Sequence, residues 1–262
     1  MRRGLVTMGL AMTAVLVALS SFVAVNAMAR QTVNTEHTYG FRGKSVSIDL
    51  TVGEVQILPS QNDDEISVRR RVTYGLRAPV LEERIDGDTF RISDGDCAMP
   101  VWGVCHVKWL VLVPPHLPVA VTTHTGGITV RGLAGPVNLT SESGDVKART
   151  LSGQAVQLLS HEGSVSGTDI RSSHVVATST SGDISLTFRT APKLVRGHTG
   201  TGSVEVILPE GDEAYKVTAR VAEGQGKTIT GVKQDDNANR NINVRSDTGE
   251  IRVEQGSPTP SS

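Results

Sequence analysis

Apolar and polar residues alternate along most of the chain, in short runs separated by Gly, Ser or Asp. The segment "TSTSGDISL" is typical: a Ser/Thr-rich run leads to Gly182 and Asp183, followed by Ile184 and Leu186 with a polar residue between them. Alternation with a period of two is typical of a strand with one apolar face, and a glycine beside a small polar residue marks a turn. The pattern therefore predicts short strands joined by tight turns.

Copies of this segment recur at a nearly constant spacing. The turn glycines Gly126, Gly144, Gly163, Gly182 and Gly202 are separated by 18, 19, 19 and 20 residues, and an Ile or a Val follows each glycine by two positions. A second alternating pair of apolar residues follows in most copies. A period of about 19 with two alternating runs predicts two strands and two turns per repeat. One repeat cannot bury its apolar face alone, so the repeats must stack.

The predicted fold class is all-β: a β-solenoid or β-roll of two-strand repeats with an N-terminal β-sheet cap, after an N-terminal hydrophobic helix. Equivalent residues on neighbouring rungs would lie about 4.8 Å apart. An antiparallel meander of the same strands is the alternative. The patterns divide the chain into a signal peptide or membrane anchor (1–29), a cap region with a disulfide loop (30–122), the repeats (123–209), C-terminal strands with a long loop (210–255) and a disordered tail (256–262).

Within the C-terminal segment, the turn motif occurs once more at Gly249. The polar, Gly/Asn-rich stretch over residues 221–243 predicts a long loop or an irregular hairpin.

The N-terminal segment indicates export. Arg2 and Arg3 precede 26 residues without a charge, which end in Ala27-Met28-Ala29. A charged start, an apolar run and small residues before Arg30 predict a cleaved signal peptide. Because about 20 apolar residues can span a bilayer, an uncleaved anchor is the alternative. Both interpretations place the bulk of the chain outside the cytoplasm.

Composition limits the classes of binding partner and predicts the redox state of the cysteines. The chain of 262 residues has a formal net charge of −1, so it has no basic excess to bind nucleic acid. Cys97 and Cys105 are the only cysteines. In an exported chain, two cysteines this close predict a disulfide across a loop, and two unpaired thiols are the alternative.

An acid follows several of the turn glycines. It is Asp145 in one repeat and Asp183 two repeats later, with Ser164 at the same position between them. Glu54 and Glu250 stand after glycines outside the repeats. Two rungs separate Asp145 from Asp183 by roughly 9 to 10 Å, whereas Ca²⁺ ligands lie about 2.3 to 2.6 Å from the ion. We interpret these acids as acceptors of turn N–H groups, a structural role, rather than as metal ligands.

No other motif points to catalysis or to a cofactor. His124, His161 and His198 are spaced two repeats apart, too far to share one metal ion, and are predicted to be solvent-facing turn residues. The sequence contains no G-x-S-x-G, no H-E-x-x-H and no Gly-rich phosphate loop. Neither enzymatic activity nor a cofactor is therefore expected.

The order of the motifs resembles a known family. A strand-rich region ends in "VLVPPHLPVAVTTHTGG", repeated T-x-S-G-D-V/I turns follow, and "GSVEVILP" comes after them. Over about residues 40–255 this pattern is similar to the bacterial putative-adhesin family DUF4097, in its actinobacterial style. The resemblance implies a β-solenoid-like extracytoplasmic domain. It implies adhesion only through the family's label and supplies no binding residues.

These observations favour a non-enzymatic cell-surface or secreted scaffold. It would present an elongated β surface to an unidentified envelope or extracellular protein or glycan, and contact a membrane only through its N-terminal segment. The alternatives are an envelope carbohydrate-active β-helix enzyme and the ectodomain of an envelope-stress sensing system.

Overall fold

The computed structural model describes residues 30–75, 77–95 and 105–256. Within these ranges the regular elements are nineteen β-strands. They are β1 Gln31–Gly40, β2 Ser45–Val52, β3 Glu54–Pro59, β4 Glu65–Tyr74, β5 Leu81–Asp86, β6 Thr89–Asp94, β7 Cys105–Val113, β8 Val119–Thr125, β9 Ile128–Arg131, β10 Val137–Ser143, β11 Val146–Arg149, β12 Ala155–Glu162, β13 Val165–Ile170, β14 His174–Ser181, β15 Ile184–Phe188, β16 Leu194–Thr201, β17 Val204–Leu208, β18 Lys216–Thr230 and β19 Asn241–Gln255.

Three predictions fall wholly or partly outside the described residues: the N-terminal hydrophobic helix, the Cys97 half of the disulfide, and the tail beyond residue 256. They stay predictions. The part of the chain that the structure does describe includes no helix with the length and hydropathy of a membrane span.

Two ladders of parallel strands face each other across one core. The first ladder contains β2, β8, β10, β12, β14 and β16, and the second contains β3, β9, β11, β13, β15 and β17. Each rung supplies one strand to each ladder, and neighbouring rungs are in register, with Val137 between Val119 and Val156. The predicted all-β, solenoid-like fold is confirmed, and the parallel pairing excludes the antiparallel meander.

The C-terminal rungs do not follow chain order. β18 and β19 each run through both ladders, and β19 lies between the β16–β17 rung and β18. The prediction of a long loop or irregular hairpin over residues 221–243 is therefore wrong for 221–230, which belong to β18, and for 241–243, which belong to β19. β18 bends into the second ladder at a register shift between Glu223 and Gly226. Because this outermost rung has a largely polar sequence, its composition resembles that of a loop.

The predicted cap region contains one full rung. β2 and β3 pair in parallel with β8 and β9, although β4 to β7 intervene in the sequence. The rest of the region extends the two ladders. The first ladder is extended by β6 and then by β5, which is antiparallel to β6. The second is extended by β7, by β4 antiparallel to β7, and by β1 antiparallel to β4.

A single core of aliphatic side chains runs the length of the roll. In each rung, alternate residues of both strands point inward, as Leu139 and Val146 do with no exposed surface. Larger rings, including Phe90 and Trp109, fill the core at the N-terminal end. Because inward positions in the repeats are mostly Val, Ile, Leu and Ala, the two ladders can lie close together.

The corner between the two strands of a rung requires glycine. Gly163 has a φ of +154°, and a Cβ at this position would lie 2.5 Å from the carbonyl oxygen of Gly144 on the preceding rung. The same close approach joins Gly126 to Gly53, Gly144 to Gly126, Gly182 to Gly163, Gly202 to Gly182 and Gly249 to Gly202. A side chain at these corners would meet both a rarely allowed φ and the neighbouring backbone.

We expect Gly163→Ala to lower the free energy of unfolding by about 1 to 3 kcal/mol, the range for a side chain forced into a sparsely populated backbone region. Gly40→Ala is the matched control, because no atom lies within 4 Å of a Cβ built at that exposed glycine. The control should stay within about 0.5 kcal/mol of wild type. Equal losses for the two variants in chemical denaturation would show that the corners tolerate a side chain.

Candidate functional site

A column of buried hydroxyl groups lines the corners. Ser160 and Ser179, each three residues before a corner glycine, donate hydrogen bonds of 2.9 Å to the carbonyl oxygens of Gly144 and Gly163 on the preceding rungs. Ser141, Thr199 and Ser246 do the same for their preceding rungs, and Thr123 donates to Gly126 of its own rung. All six hydroxyl-bearing residues are at most 1% exposed. This column was not predicted, although the pattern [ST]-x-x-G is visible in all six copies.

The corner acids bind the backbone of the next rung. Asp145 Oδ1 accepts a hydrogen bond of 3.0 Å from the N–H of Ser164, and Asp183 Oδ1 accepts one of 2.8 Å from the N–H of Ser203. The Ser164 N–H, followed by the Lys147 ammonium group, lowers the pKa of the Asp145 carboxyl from its usual value. The structure therefore places both acids in turn-acceptor geometry, on rungs that are separated by the rung of Ser164.

The three histidines do not form one site. His124 pairs with the carboxylate of Glu142, and both face an open groove together with His161. His198 lies on the outer face of the first ladder, half-buried, beside Arg245 of β19. Among the described residues, no group of three or more His, Cys, Asp and Glu side chains is arranged to hold a metal ion.

The predicted disulfide can be located at one end only. Cys105 begins β7, opposite Tyr74 of β4, and is partly buried. Cys97 lies outside the described residues, so the pairing stays a prediction.

The outer face of the first ladder becomes basic at its C-terminal rungs. Arg196, Arg245, Arg220 and Lys216 lie on the adjacent strands β16, β19 and β18, and all four are exposed. We call these four residues the basic face. Among the ion pairs of the described residues, one involves this set, between Arg245 and Asp247 at 2.8 Å. Four cations minus this one carboxylate leave a local charge of +3.

The opposite face of the same rungs has the opposite sign. On the second ladder, three carboxylates lie 3.7 to 3.9 Å from the Arg252 guanidinium group, those of Glu205, Glu250 and Glu254. One cation minus three acids gives a local charge of −2. The C-terminal rungs are therefore electrically polarised across the core, which a net charge near zero conceals.

A groove on the outer face of the second ladder, near the N-terminal end, is a weaker candidate. Three of its four cations are paired with acids, each at 2.7 Å: Lys108 with Glu54, Arg69 with Glu36 and Arg70 with Glu83. Paired surface charges attract an ionic ligand less than unpaired ones, so the basic face is the stronger candidate binding surface.

A family model described as Toastrack DUF4097 matches residues 117–255, from just before β8 to the end of β19. The chain belongs to the Toastrack family, DUF4097. This confirms the resemblance found in the sequence. The matched Toastrack region contains the corner glycines from Gly126 to Gly249 and the whole basic face, and it excludes β1 to β7.

Three solved structures of similar fold each match 86% of this chain. A putative cell adhesion protein from Clostridium sporogenes has 12% identity and a TM-score of 0.42, over 86% of this chain and 100% of its own. A putative adhesin from Bacteroides fragilis has 12% identity and a TM-score of 0.46, over 86% and 97%. A putative lipid binding protein from Parabacteroides distasonis has 9% identity and a TM-score of 0.44, also over 86% and 97%. No curated protein matches the sequence significantly.

Outside the Toastrack region, a buried carboxylate occupies the N-terminal end of the roll. The Glu83 side chain is 3% exposed and accepts hydrogen bonds of 2.7 Å from both Arg70 and the Tyr39 hydroxyl. His37 lies 3.1 Å from the same carboxylate. Burial, and then the hydrogen bond to Glu83, raise the pKa of Tyr39 to about 12. Since Arg70 and Tyr39 both hold the charge of Glu83, this end is closed by a satisfied polar network.

The lowered pKa of Asp145 predicts a pH-dependent contribution to stability. Asp145→Asn keeps an acceptor oxygen but removes the charge, so it should unfold about 0.5 to 1 kcal/mol more easily at neutral pH, a small value because the carboxylate is half exposed. The pKa is lower in the folded state, so this difference should be complete above about pH 4 and should disappear as the pH falls through the folded-state value. Urea denaturation across pH measures it.

Asp49→Asn, at an exposed position on the first ladder, is the control and should unfold like wild type at neutral pH. A loss at Asp145→Asn that persists at low pH would contradict a role for the charge.

Proposed function

We propose that the chain is a non-enzymatic extracytoplasmic scaffold that adheres to an anionic envelope glycopolymer through its basic face. The observation that carries this proposal is the clustering of Arg196, Arg220, Arg245 and Lys216 on three adjacent rungs, opposed by one paired carboxylate. The regular stacking of the rungs makes the cluster a rigid array.

The spacing of the array suits a polymer with repeated negative groups. Arg245 on β19 and Arg220 on β18 lie directly opposite each other, on strands about 4.8 Å apart. Arg196 lies on β16, the neighbouring strand on the other side of β19. Guanidinium groups bind phosphate and carboxylate oxygens through two parallel hydrogen bonds and remain charged at every physiological pH. A rigid array loses little conformational entropy when it binds, so several weak contacts can add.

The geometry of the corner acids supports a non-enzymatic role. Asp145 and Asp183, the acids that a glycan-cleaving mechanism would need, bind the backbone N–H groups of Ser164 and Ser203 and lie on different rungs. Retaining and inverting glycosidases instead use two carboxyl groups on either side of one bond that are free to exchange protons. The arrangement of these two acids therefore favours structure over hydrolysis.

We expect the purified protein to bind poly(glycerol phosphate) with an affinity that falls as NaCl is added, since exposed charges are screened by salt. The double variant Arg196→Glu/Arg245→Glu should reduce this affinity at least about tenfold, the loss expected when two charge-assisted contacts are reversed. Biolayer interferometry with immobilised polymer measures both effects.

Arg131→Glu/Arg149→Glu is the matched control, because it makes the same charge change on the outer face of the second ladder. This control should bind like wild type. If both double variants lose the same affinity, attraction is by overall charge and the basic face is not a site. Anionic lipid vesicles serve as a second probe, and tighter binding to them than to the polymer would overturn the choice of a glycopolymer.

The extracytoplasmic location rests on the N-terminal segment. We expect N-terminal sequencing of the exported protein to begin at Arg30, as cleavage after Ala27-Met28-Ala29 requires. A retained Met1 in the membrane fraction would show an uncleaved anchor. Recovery of the protein only from the cytoplasm would contradict the proposed location.

A further inference from the structure

At the N-terminal end of the roll, the second ladder extends one strand beyond the first. Past the β2–β3 rung, the second ladder continues through β7, β4 and β1, whereas the first continues through β6 and β5. β1 is therefore the outermost strand, and among the described residues it pairs with β4 alone. The other edge of this ten-residue strand directs backbone N–H and C=O groups outward.

β1 lacks the charges that protect the other free edges of the roll. Four of the six residues of β5 are charged. β18 carries three cations, and a bridge from Tyr215 to Gln234 occupies the edge at its start. β1 contains no Lys, Arg or Pro, and its one acid is Glu36. Because charges and prolines on an edge strand discourage another strand from adding, β1 is the edge most open to pairing.

The inner face of β1 overhangs the core, because the first ladder stops one strand short of it. Val33 points inward like its buried partner Val72 on β4, yet Val33 is 41% exposed. The His37 side chain, on the same face of β1, is 47% exposed. A strand added to the free edge of β1 would pack its own inward side chains beside both residues.

A second copy of β1 matches the first in an antiparallel register with a two-fold axis at Thr35. Residues 31–39 of one copy then pair with residues 39–31 of the other. Glu36 of each copy meets Asn34 of the other, so no charge lies opposite a like charge. An axis at Glu36 would instead bring two carboxylates together, and like charges directly opposite each other destabilise a strand pair.

The outer face of β1 supplies complementary hydrogen-bonding groups in this register. Arg71 donates to Asn34 Oδ1 at 3.0 Å, which leaves the amide N–H groups of Asn34 to donate elsewhere. Arg69 donates to Glu36 Oε1 at 2.7 Å, which leaves Oε2 to accept. Across the interface, the Asn34 amide of one copy would donate to the Glu36 carboxylate of the other, and the two-fold axis repeats this charge-assisted contact.

Hydroxyl groups also align on the outer face. The Thr32 and Thr73 hydroxyl oxygens lie 3.1 Å apart across β1 and β4, and those of Thr38 and Ser67 lie 3.1 Å apart in the same way. The register sets Thr32 of one copy opposite Thr38 of the other, so four hydroxyl groups form a row across the interface. Threonine pairs of this kind stabilise neighbouring strands.

The inner face buries no unpaired charge. Val33 of one copy would meet the imidazole ring of His37 in the other, and the two Thr35 side chains would meet at the axis. The buried carboxylate nearest to His37 is Glu83, which Arg70 already binds at 2.7 Å. Association therefore carries no desolvation penalty for a lone ion on this face.

We propose that two copies of this chain form a symmetric dimer through their β1 strands. The two second ladders then continue as one sheet across the axis. The two β5 strands would remain about three strand spacings, roughly 14 Å, apart, so the first ladders do not obstruct the contact. An antiparallel pair over residues 31–39 makes about one backbone hydrogen bond per residue, close to the about ten of a typical interface. Because both copies use the same surface, the assembly closes at two.

The dimer would carry two basic faces. The axis is perpendicular to the joined sheet, so both first ladders lie on the same side of that sheet, with one basic face towards each end. A long polymer that contacts both faces would be held more tightly than by one. The association through β1 does not depend on what the basic face binds.

Sedimentation velocity of the purified exported protein over a wide range of concentration tests the proposal. We expect a monomer–dimer equilibrium with no larger species. Asn34→Asp sets two pairs of like charges across the axis and should weaken the dimer at least about tenfold. The new carboxylate keeps an acceptor oxygen for Arg71, so the variant should fold like wild type.

A second substitution tests the register. Adding Glu36→Gln to Asn34→Asp exchanges the donor and the acceptor of the pair, so the double variant should recover most of the affinity. Asn138→Asp, the same change at an exposed position of β10, is the control and should dimerise like wild type. A wild type that is monomeric at every concentration, or that assembles beyond the dimer, would overturn the proposal. Equal losses for Asn34→Asp and its control would do the same.

A cysteine at the axis provides an independent measurement. Opposite Cα atoms of an antiparallel pair lie about 4.5 to 5.5 Å apart, within the range that a disulfide spans. Mild oxidation of Thr35→Cys should therefore give a covalent dimer on a non-reducing gel. Thr38→Cys, which would lie opposite Thr32, should not cross-link, and neither should wild type, which controls for the native cysteines. Cross-linking of Thr38→Cys in place of Thr35→Cys would show that the proposed register is wrong.

Discussion

The close approach of each corner glycine to the carbonyl group of the glycine before it is the constraint on which the roll depends. Where Gly163 passes over Gly144, the backbones of two rungs touch without an intervening side chain. The strands on both sides of the corner can then stay at hydrogen-bonding distance, and the two ladders remain in register. The buried hydroxyl of Ser160 donates a hydrogen bond to the carbonyl oxygen of Gly144, which the same close packing shields from water. Glycine and hydroxyl are thus two parts of one corner.

Local features of the fold were predictable from the sequence because each depends on residues within a single repeat. The period, the corner glycines and the inward position of residues such as Val146 follow from alternation and turn chemistry within a few residues. The order of the rungs does not. No residue near β19 indicates that this strand lies between β17 and β18. The β2–β3 rung contacts the rung of β8 and β9 although four strands intervene in the sequence, and Gly53 lies against Gly126 where the two rungs meet. Pairing over such distances depends on tertiary packing.

The candidate site was also only partly predictable from the sequence. The role of Asp145 follows from its place after a glycine, since a short acid in a turn has backbone N–H groups within reach. The basic face gives no such signal, because Arg196, Arg220 and Arg245 lie far apart in the sequence and are joined only by the register of β16, β19 and β18. The buried hydroxyls were visible as [ST]-x-x-G, but a serine near a turn is ordinary until the structure shows that it is buried. The candidate site was harder to predict than the fold because it consists of residues that are brought together only by strand pairing.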